Sequence, residues 1–415
     1  DKCMRNAYDE SVYIRAQKLK AAEGGFEALL PKLHPAAPAA GRRVAVVGGG
    51  PGGMSAAYFL GRSGVDVTVF ERRDALGGIV RHVIPAFRIH DEAIDNDVRL
   101  MEAMGVKVEL NTEVKDVQEL FAQGFTHVIL ATGAWQKGSA GLEYGEEHNV
   151  IEFLEAAKKA PDTLNLGRHV VVIGGGNTAM DAARAALRAG AKSSTLVYRR
   201  TKKYMPADAE ELEMAIADGV EFLELVAPVE QKDGKLICEK MKLGDPDDKG
   251  RRKPVPTGEM VEIPCDTVVS AVGEKVESEV FTRNGITVDE KGIPAFKTNL
   301  EGVYAGGDAM RGPATVVEGI ADAQYFANAV IGEAHKFAIP AKAVATREEA
   351  VAKKGVLCES AKCEGDRCLT CNVVCQVCAD VCPNRANVVI ELPDGRQQIL
   401  HVDRMCNECG NCAVF

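Results

Sequence analysis

Arg42-Arg43-Val44-Ala45-Val46-Val47-Gly48-Gly49-Gly50-Pro51-Gly52-Gly53 decides the fold of this chain. An apolar run with charge only at its start predicts a buried strand, and the glycines after it open an alanine-rich helix. Gly48, Gly50 and Gly53 take the three positions of a Gly-x-Gly-x-x-Gly turn, with Pro51 and Gly52 between them. Lacking side chains, these residues make a tight turn, bring backbone N–H groups close to a pyrophosphate, and let the helix pack near the strand. Val65 to Phe70 reads as the next strand, and Glu71 at its end can accept hydrogen bonds from both hydroxyls of a ribose, with Arg72 beside it. Such a turn alone also occurs in unrelated α/β domains. Strand, helix and terminal carboxylate together predict a dinucleotide site.

The same unit recurs, with His169 to Ile173 as its first strand and Ser194 to Tyr198 as its second. Its turn places Gly174, Gly176 and Ala179 at the fingerprint positions, around Asn177 and Thr178. Two copies of one βαβ unit imply two dinucleotide sites. Here the second strand ends in Arg199-Arg200 instead of an acidic residue. A carboxylate repels the 2′-phosphate of NADP, whereas a guanidinium pairs with it, so the reading is NADPH, with NADH as the alternative. Lys202 and Lys203 either add to that positive field or are ordinary surface residues.

Ten of the thirteen cysteines fall between Cys358 and Cys412. Cys406, Cys409 and Cys412 have the two-residue spacing that turns successive thiolates onto one iron–sulphur cube, and Cys382-Pro383 is the element that reaches across to a second cluster. Cys382 therefore joins Cys406, Cys409 and Cys412 on one [4Fe-4S] cluster. Cys371, Cys375 and Cys378 hold the other, with Cys368 the rival for the place of Cys371 and the fourth ligand expected beyond Phe415. Val388 to Leu392 and Gln398 to Val402 read as a hairpin between the two cysteine groups. A zinc ribbon or a disulphide framework is the competing reading; zinc would leave cysteines surplus, and disulphides do not suit an intracellular chain. Cys3, Cys358 and Cys363 are either ligands of a further site or inert thiols.

Length and composition frame these motifs. A chain of 415 residues accommodates about three domains. Its net charge of −10, with dispersed basic residues, argues against nucleic-acid binding. No apolar run has the length of a membrane span. Clustered reduced cysteines point to the cytoplasm. The chain begins without a methionine and stops inside a cluster motif, so it reads as a segment of something larger. Ser11 to Glu23 predicts a helix, and Pro31, Pro35 and Pro38 mark a linker after it. Gly244 to Gly258, rich in Asp, Lys and Pro, predicts a solvated hairpin loop. The eight histidines show no metal-ligand spacing.

Gly302-Val303-Tyr304-Ala305-Gly306-Gly307-Asp308 resembles the second flavin motif of the two-dinucleotide-domain flavoproteins. The resemblance implies that the first site holds FAD, that Asp308 holds its ribityl chain beside Gly307, and that the helix starting near Thr315 and Val316 aims its N-terminus at the flavin pyrimidine. Ala131-Thr132-Gly133 is a strand-end turn of the same family. Ile84 to Arg88, Gly174 to Asp181, Tyr198-Arg199-Arg200 and Met205-Pro206 are similar to the glutamate synthase small-subunit family, which includes the flavin and NADPH domains of dihydropyrimidine dehydrogenase. With the ferredoxin run added, the chain looks most like the selenate-reductase-type flavin/iron–sulphur subunits of purine-catabolism operons. Gly77, Gly78 and Arg88 complete the candidate cofactor residues.

The fold implied is α/β, with two Rossmann-like domains and a small α+β two-cluster ferredoxin domain. Its parts are a helical segment and linker (1–40), an FAD domain (41–149 and 266–335), an inserted NAD(P)H domain (150–265), a linker (336–357) and the ferredoxin domain (358–415). The activity implied is NADPH oxidation through FAD, with single electrons passing through two [4Fe-4S] clusters to an electron-acceptor domain or subunit, such as a molybdenum- or flavin-containing reductase. An electron-bifurcating transhydrogenase and a wiring subunit without pyridine-nucleotide turnover are the alternatives. A disulphide reductase would need a Cys-x-x-Cys pair in the core, where only the widely separated Cys238 and Cys265 lie. The terminal acceptor, whether an oxidised purine or pyrimidine, a selenium oxyanion or a protein, is not encoded in these motifs.

Overall fold

The computed structural model describes residues 3, 5, 10–39, 41–246, 252–332, 346–360, 362–368, 377–393, 397–409 and 412. The chain divides into two compact units, Leu33–His335 and a second formed by Asp1–Lys32 with Lys336–Phe415.

Leu33–His335 contains two parallel sheets. In the first, β1 (Arg43–Val47) is central, flanked by β2 (Asp66–Phe70) and β3 (Lys107–Glu109) on one side and by β4 (His127–Leu130) and a late strand, Val303–Ala305, on the other. Along β1 the side chains alternate between two cores. Val44 and Val46 pack with Leu60 and Phe326, while Ala45 and Val47 pack with Phe281 and Leu130. Burial on both faces is why this strand carries no alternating polar residues. Strand order reverses at β1, and a crevice opens there at the carboxyl ends of the strands.

The second sheet has the order β5 (Glu147–Asn149), Thr267–Ala271, β6 (His169–Gly174), β7 (Ser193–Tyr198), β8 (Glu221–Glu224). All its pairings are parallel. This sheet extends past the expected 150–265 at both ends, because the buried run Thr267–Ala271 pairs with β6 on one side and with β5 on the other. An antiparallel sheet of β9 (Val226–Lys232), β10 (Lys235–Pro246) and β11 (Arg252–Pro264) packs on it through Leu236, Cys238, Ile263 and Cys265. Of the loop expected over Gly244 to Gly258, residues 247–251 lie outside the described residues and the rest is strand: Lys242 pairs with Val255 and Leu243 with Pro254. Register shifts between Glu239 and Met241, and again between Leu243 and Pro246, absorb the glycine and prolines that read as loop signals. The strands after this hairpin are β12 (Thr267–Ala271) and β13 (Val303–Ala305).

In the other unit the helix Ile14–Leu29 has no buried residue. Two arginines tie the N-terminal residues to the cysteine-rich segment. Arg5 donates to the carbonyls of Lys353 and Arg367, each at 3.1 Å, and of Val356. Fully buried Arg367 pairs with Glu364 at 2.6 Å and donates to the Glu10 carbonyl. The hairpin expected between the cysteine groups is present as β14 (Asn387–Glu391) and β15 (Gln397–His401), with Asn387 opposite His401. Among the described residues no helix is long and apolar enough to cross a membrane.

Candidate functional site

A cavity of about 190 Å³ lies at the carboxyl ends of β1, β2, β4 and β13. Gly48, Gly50, Pro51 and Gly52 line it from the first turn, with Glu71 and Arg72 after β2 and Ala131, Thr132 and Gly133 after β4. Gly307 and Asp308 follow β13 into it, and Thr315, Val316 and Gly78 complete the expected set. Gly53 and Gly77 support the turn from behind. A Cβ on Gly53 would stand 1.9 Å from the Gly48 carbonyl oxygen, so the helix Pro51–Arg62 approaches β1 closer than any side chain permits. Gly77 donates to the Gly49 carbonyl at 2.8 Å.

Its floor is a cradle that side chains would fill. Added Cβ atoms on Gly50, Gly52 and Gly319 would have no heavy atom nearer than 3.7 Å, and those near atoms include other glycine Cα atoms. Gly48, at φ +106°, has a different constraint, since a Cβ there would meet the Ala131 carbonyl oxygen at 2.4 Å. Glu71, 6% exposed, accepts from the Gly49 N–H at 2.7 Å and the Arg73 N–H at 2.9 Å. One carboxylate oxygen thus braces the turn, the other is held by the backbone after β2, and each retains a lone pair for a further donor.

On the opposite wall, Thr315 caps the helix Val316–Ile331 in a reciprocal capping box with Glu318, leaving the positive end of that helix at the cavity. Asp308 accepts from the Ala314 N–H at 3.2 Å, and burial pushes its carboxyl up to about 6. Buried Asp322 went unread in the sequence. It accepts the Gly307 N–H at 2.9 Å and pairs with Arg311, holding the Gly307-Asp308 turn open. Its signal was the buried stripe Gly319, Asp322, Ala323, Phe326 at helical spacing. Thr112, Glu113, Val114, Trp135, Val280 and Arg283 also line the cavity. No local motif marks them, since they arrive from three separate segments.

The second turn stands at the end of β6 and starts the helix Asn177–Arg188. A Cβ on Gly174 would lie 2.3 Å from the Ala271 carbonyl oxygen, whereas Gly176 has open space around it. Asn177 accepts from the Asp208 N–H at 3.1 Å; Thr178 is half-buried and Ala179 fully buried against the sheet. Arg199 is exposed and Arg200 partly so, just beyond β7. Arg88 is not among the residues lining the first cavity. It pairs with Asp181 and Glu211 of the second lobe.

In the unit formed by the two chain ends, Cys382, Cys406, Cys409 and Cys412 line one cavity of about 190 Å³, with Asn387 and His401. Cys382 Sγ accepts from the Ala386 N–H at 3.2 Å and Cys406 Sγ from the Glu408 N–H at 3.4 Å. Backbone donation, led by Asn387, holds the Cys382 thiol below its ordinary pKa. Among the described residues no three thiol, imidazole or carboxylate groups converge where a single metal ion would sit. Cys382, Cys406, Cys409 and Cys412 share the lining of one cavity without converging on a single point. Cys371 and Cys375 lie outside the described residues; Cys368 is exposed and Cys378 half-buried. Cys358 donates to Glu10 at 2.6 Å, which raises its pKa and keeps it a protonated thiol.

A family model described as pyridine nucleotide-disulphide oxidoreductase matches residues 42–323. The chain is 41% identical to the Escherichia coli (strain K12) protein YgfK over all of this chain and 42% of that protein, so it spans less than half the length of that relative. It is 34% identical to the small chain of the NADPH glutamate synthase of Escherichia coli (strain K12), over 70% of this chain and 68% of that one. Among solved structures, FprA of Mycobacterium tuberculosis in complex with NADPH shares the fold, with a TM-score of 0.59 at 22% identity over 72% of this chain and 87% of that one. With its two parallel sheets and a glycine turn at the head of each, the chain belongs to the pyridine nucleotide-disulphide oxidoreductase family.

Proposed function

We propose that this chain is the NADPH-reading part of a flavin and iron–sulphur oxidoreductase that delivers electrons to a second reductive site. Bound FAD and NADPH would supply hydride transfer, and [4Fe-4S] clusters one-electron transfer. The observation that carries this reading is the first cavity, where turns from four strands and two helix N-termini meet over a glycine floor. Gly50, Gly52 and the N-terminus of Pro51–Arg62 receive a pyrophosphate, Glu71 a ribose, Asp308 the ribityl chain, and the N-terminus of Val316–Ile331 the pyrimidine edge.

Arg199 and Arg200 bind the 2′-phosphate of NADPH at the second turn. Four thiols around one space, with backbone N–H donors to two of them, support a cluster held by Cys382, Cys406, Cys409 and Cys412. Cys378 with Cys371 and Cys375, or with Cys368, holds the other. The small-chain relative supports an acceptor domain or subunit as the destination.

Anaerobic titration of the reconstituted chain with NADPH and then NADH, following the flavin and iron–sulphur bands separately, tests this reading. Both bands should bleach at lower NADPH than NADH; bands unchanged by either nucleotide would defeat it. In an Arg199→Ser/Arg200→Ser double variant, loss of charge-assisted hydrogen bonds should raise the NADPH concentration needed by about 30-fold and leave that of NADH within about twofold. Equal weakening for both nucleotides would mean these arginines do not read the phosphate.

A further inference from the structure

The seam between the two lobes of Leu33–His335 carries charged pairs that lie outside the first cavity and both glycine turns. After the helix Gly78–His82 the chain of the first lobe runs into the second, where Ile79, Val83 and Phe87 join the core around Met180 and Ala183. Arg88 follows. Its Nε stands 3.4 Å from Asp181 Oδ1, and its Nη1 pairs with Glu211. Asp181 lies on the helix Asn177–Arg188, which begins at the second glycine turn, and Glu211 on the helix Ala209–Ala217 beside it. Arg184 and Arg188 cover the Phe87 ring at 4.7 and 4.2 Å, and Asp218 anchors both at 2.7 and 2.8 Å. Elsewhere on the seam Arg73 forks onto Glu155 at 2.8 and 3.2 Å, and Lys158 meets Asp91 at 3.1 Å.

We propose that Arg88 and Asp181 are positioning residues, a clamp that fixes the helix of the pyridine-nucleotide turn against the flavin lobe so that the nicotinamide meets the flavin in one orientation. The inference rests on the two-site reading above. Neither side chain lines the first cavity or belongs to either glycine turn. Both act through the helix they hold.

Asp181 is an expensive way to tie two lobes together. It is 5% exposed, and its Oδ1 accepts no hydrogen bond among the described residues. Burial pushes its carboxyl up to about 6; Arg88 opposes this, Glu211 adds to it, and Arg184 opposes it again. A folded pKa above the ordinary 3.8 means that the stability Asp181 contributes is full below 3.8 and is lost as pH rises through about 6. At neutral pH the ionised carboxylate therefore weakens the fold, and an asparagine of the same shape would avoid that cost. A charge retained against stability fits a role in geometry.

The test uses the full chain carrying FAD, as wild type, Arg88→Gln, Arg88→Lys and Asp181→Asn, mixed rapidly with NADPH without oxygen. Flavin reduction at saturating NADPH should slow by about 10- to 100-fold in Arg88→Gln and Asp181→Asn, the size expected when a small displacement spoils hydride geometry. Arg88→Lys should recover part of it. FAD content should hold, NADP⁺ affinity should stay within about threefold, and the Tm of Asp181→Asn at neutral pH should not fall.

A pH profile adds a readout that packing alone would not move. Asp181 faces Arg88 from the crossing segment, Arg184 on its own helix and Glu211 on the next. The wild-type rate should drop as pH falls through about 6, where Asp181 takes up its proton, and Asp181→Asn should lack that limb. Variants reduced at the wild-type rate, or slowed only through lost NADP⁺ affinity or lowered Tm, would overturn the clamp. A wild type that NADPH does not reduce would overturn the two-site reading and the clamp with it.

Discussion

Gly53→Ala should abolish flavin binding and lower the Tm of the chain by about 6–12 °C. The added methyl would stand 1.9 Å from the Gly48 carbonyl oxygen and 3.0 Å from its carbon, with Val46 Cγ1 at 3.3 Å. The nearest two of those atoms are backbone at the head of β1, the central strand, which is paired on both sides and cannot retreat. The helix Pro51–Arg62 must lift instead, pulling Met54, Ala57 and Leu60 from the core and opening the turn. Overpacking of this kind costs about 3 kcal/mol, and a unit of this size loses about 2–4 °C per kcal/mol.

Gly50→Ala separates the two effects. Its φ of −74° suits any residue, and its added methyl would meet nothing nearer than Gly78 Cα at 3.8 Å. It should leave Tm within about 2 °C and still impair flavin retention, because it fills the cradle. Absorbance of the purified proteins and thermal melts decide both. A Gly53→Ala protein that is yellow and melts like wild type would refute the assignment of the turn.

Cys409→Ser and Cys382→Ser should each remove one whole cluster, about four irons per chain, because both residues line one cavity though they flank the hairpin in sequence. Loss of either should give the same deficit, and combining them should remove no further iron. Cys358→Ser should change nothing, since that thiol is engaged as a donor to Glu10. Iron and sulphide analysis of anaerobically reconstituted protein measures this directly. Deficits that add in the double variant would place Cys382 and Cys409 on different clusters, and a zinc content replacing iron would restore the ribbon reading.

Much of the first cavity was legible because its parts are local. A strand, a glycine turn and a helix are each specified within a few neighbouring residues, so Gly48 to Gly53, Glu71, Thr132 and Asp308 could be named before their meeting was known. The hairpin over Gly244 to Gly258 misled for the complementary reason. Glycine and proline are turn signals, but register shifts in a long antiparallel pair accommodate them, and only the partner strand reveals that.

The sequence by itself determined the two nucleotide-type βαβ units, the charge at the end of each second strand, and the cysteine spacings, since each depends on backbone chemistry over short separations. Tertiary structure alone decided that Arg88 faces Asp181 and Glu211, that Asp322 braces the Gly307 turn, and that Arg5 ties the chain's beginning to Lys353 and Arg367. An arginine or a buried carboxylate carries no mark of its partner in the residues beside it. Its place is set by how sheets and helices far apart in the chain are packed, and by the need of every buried charge to find another.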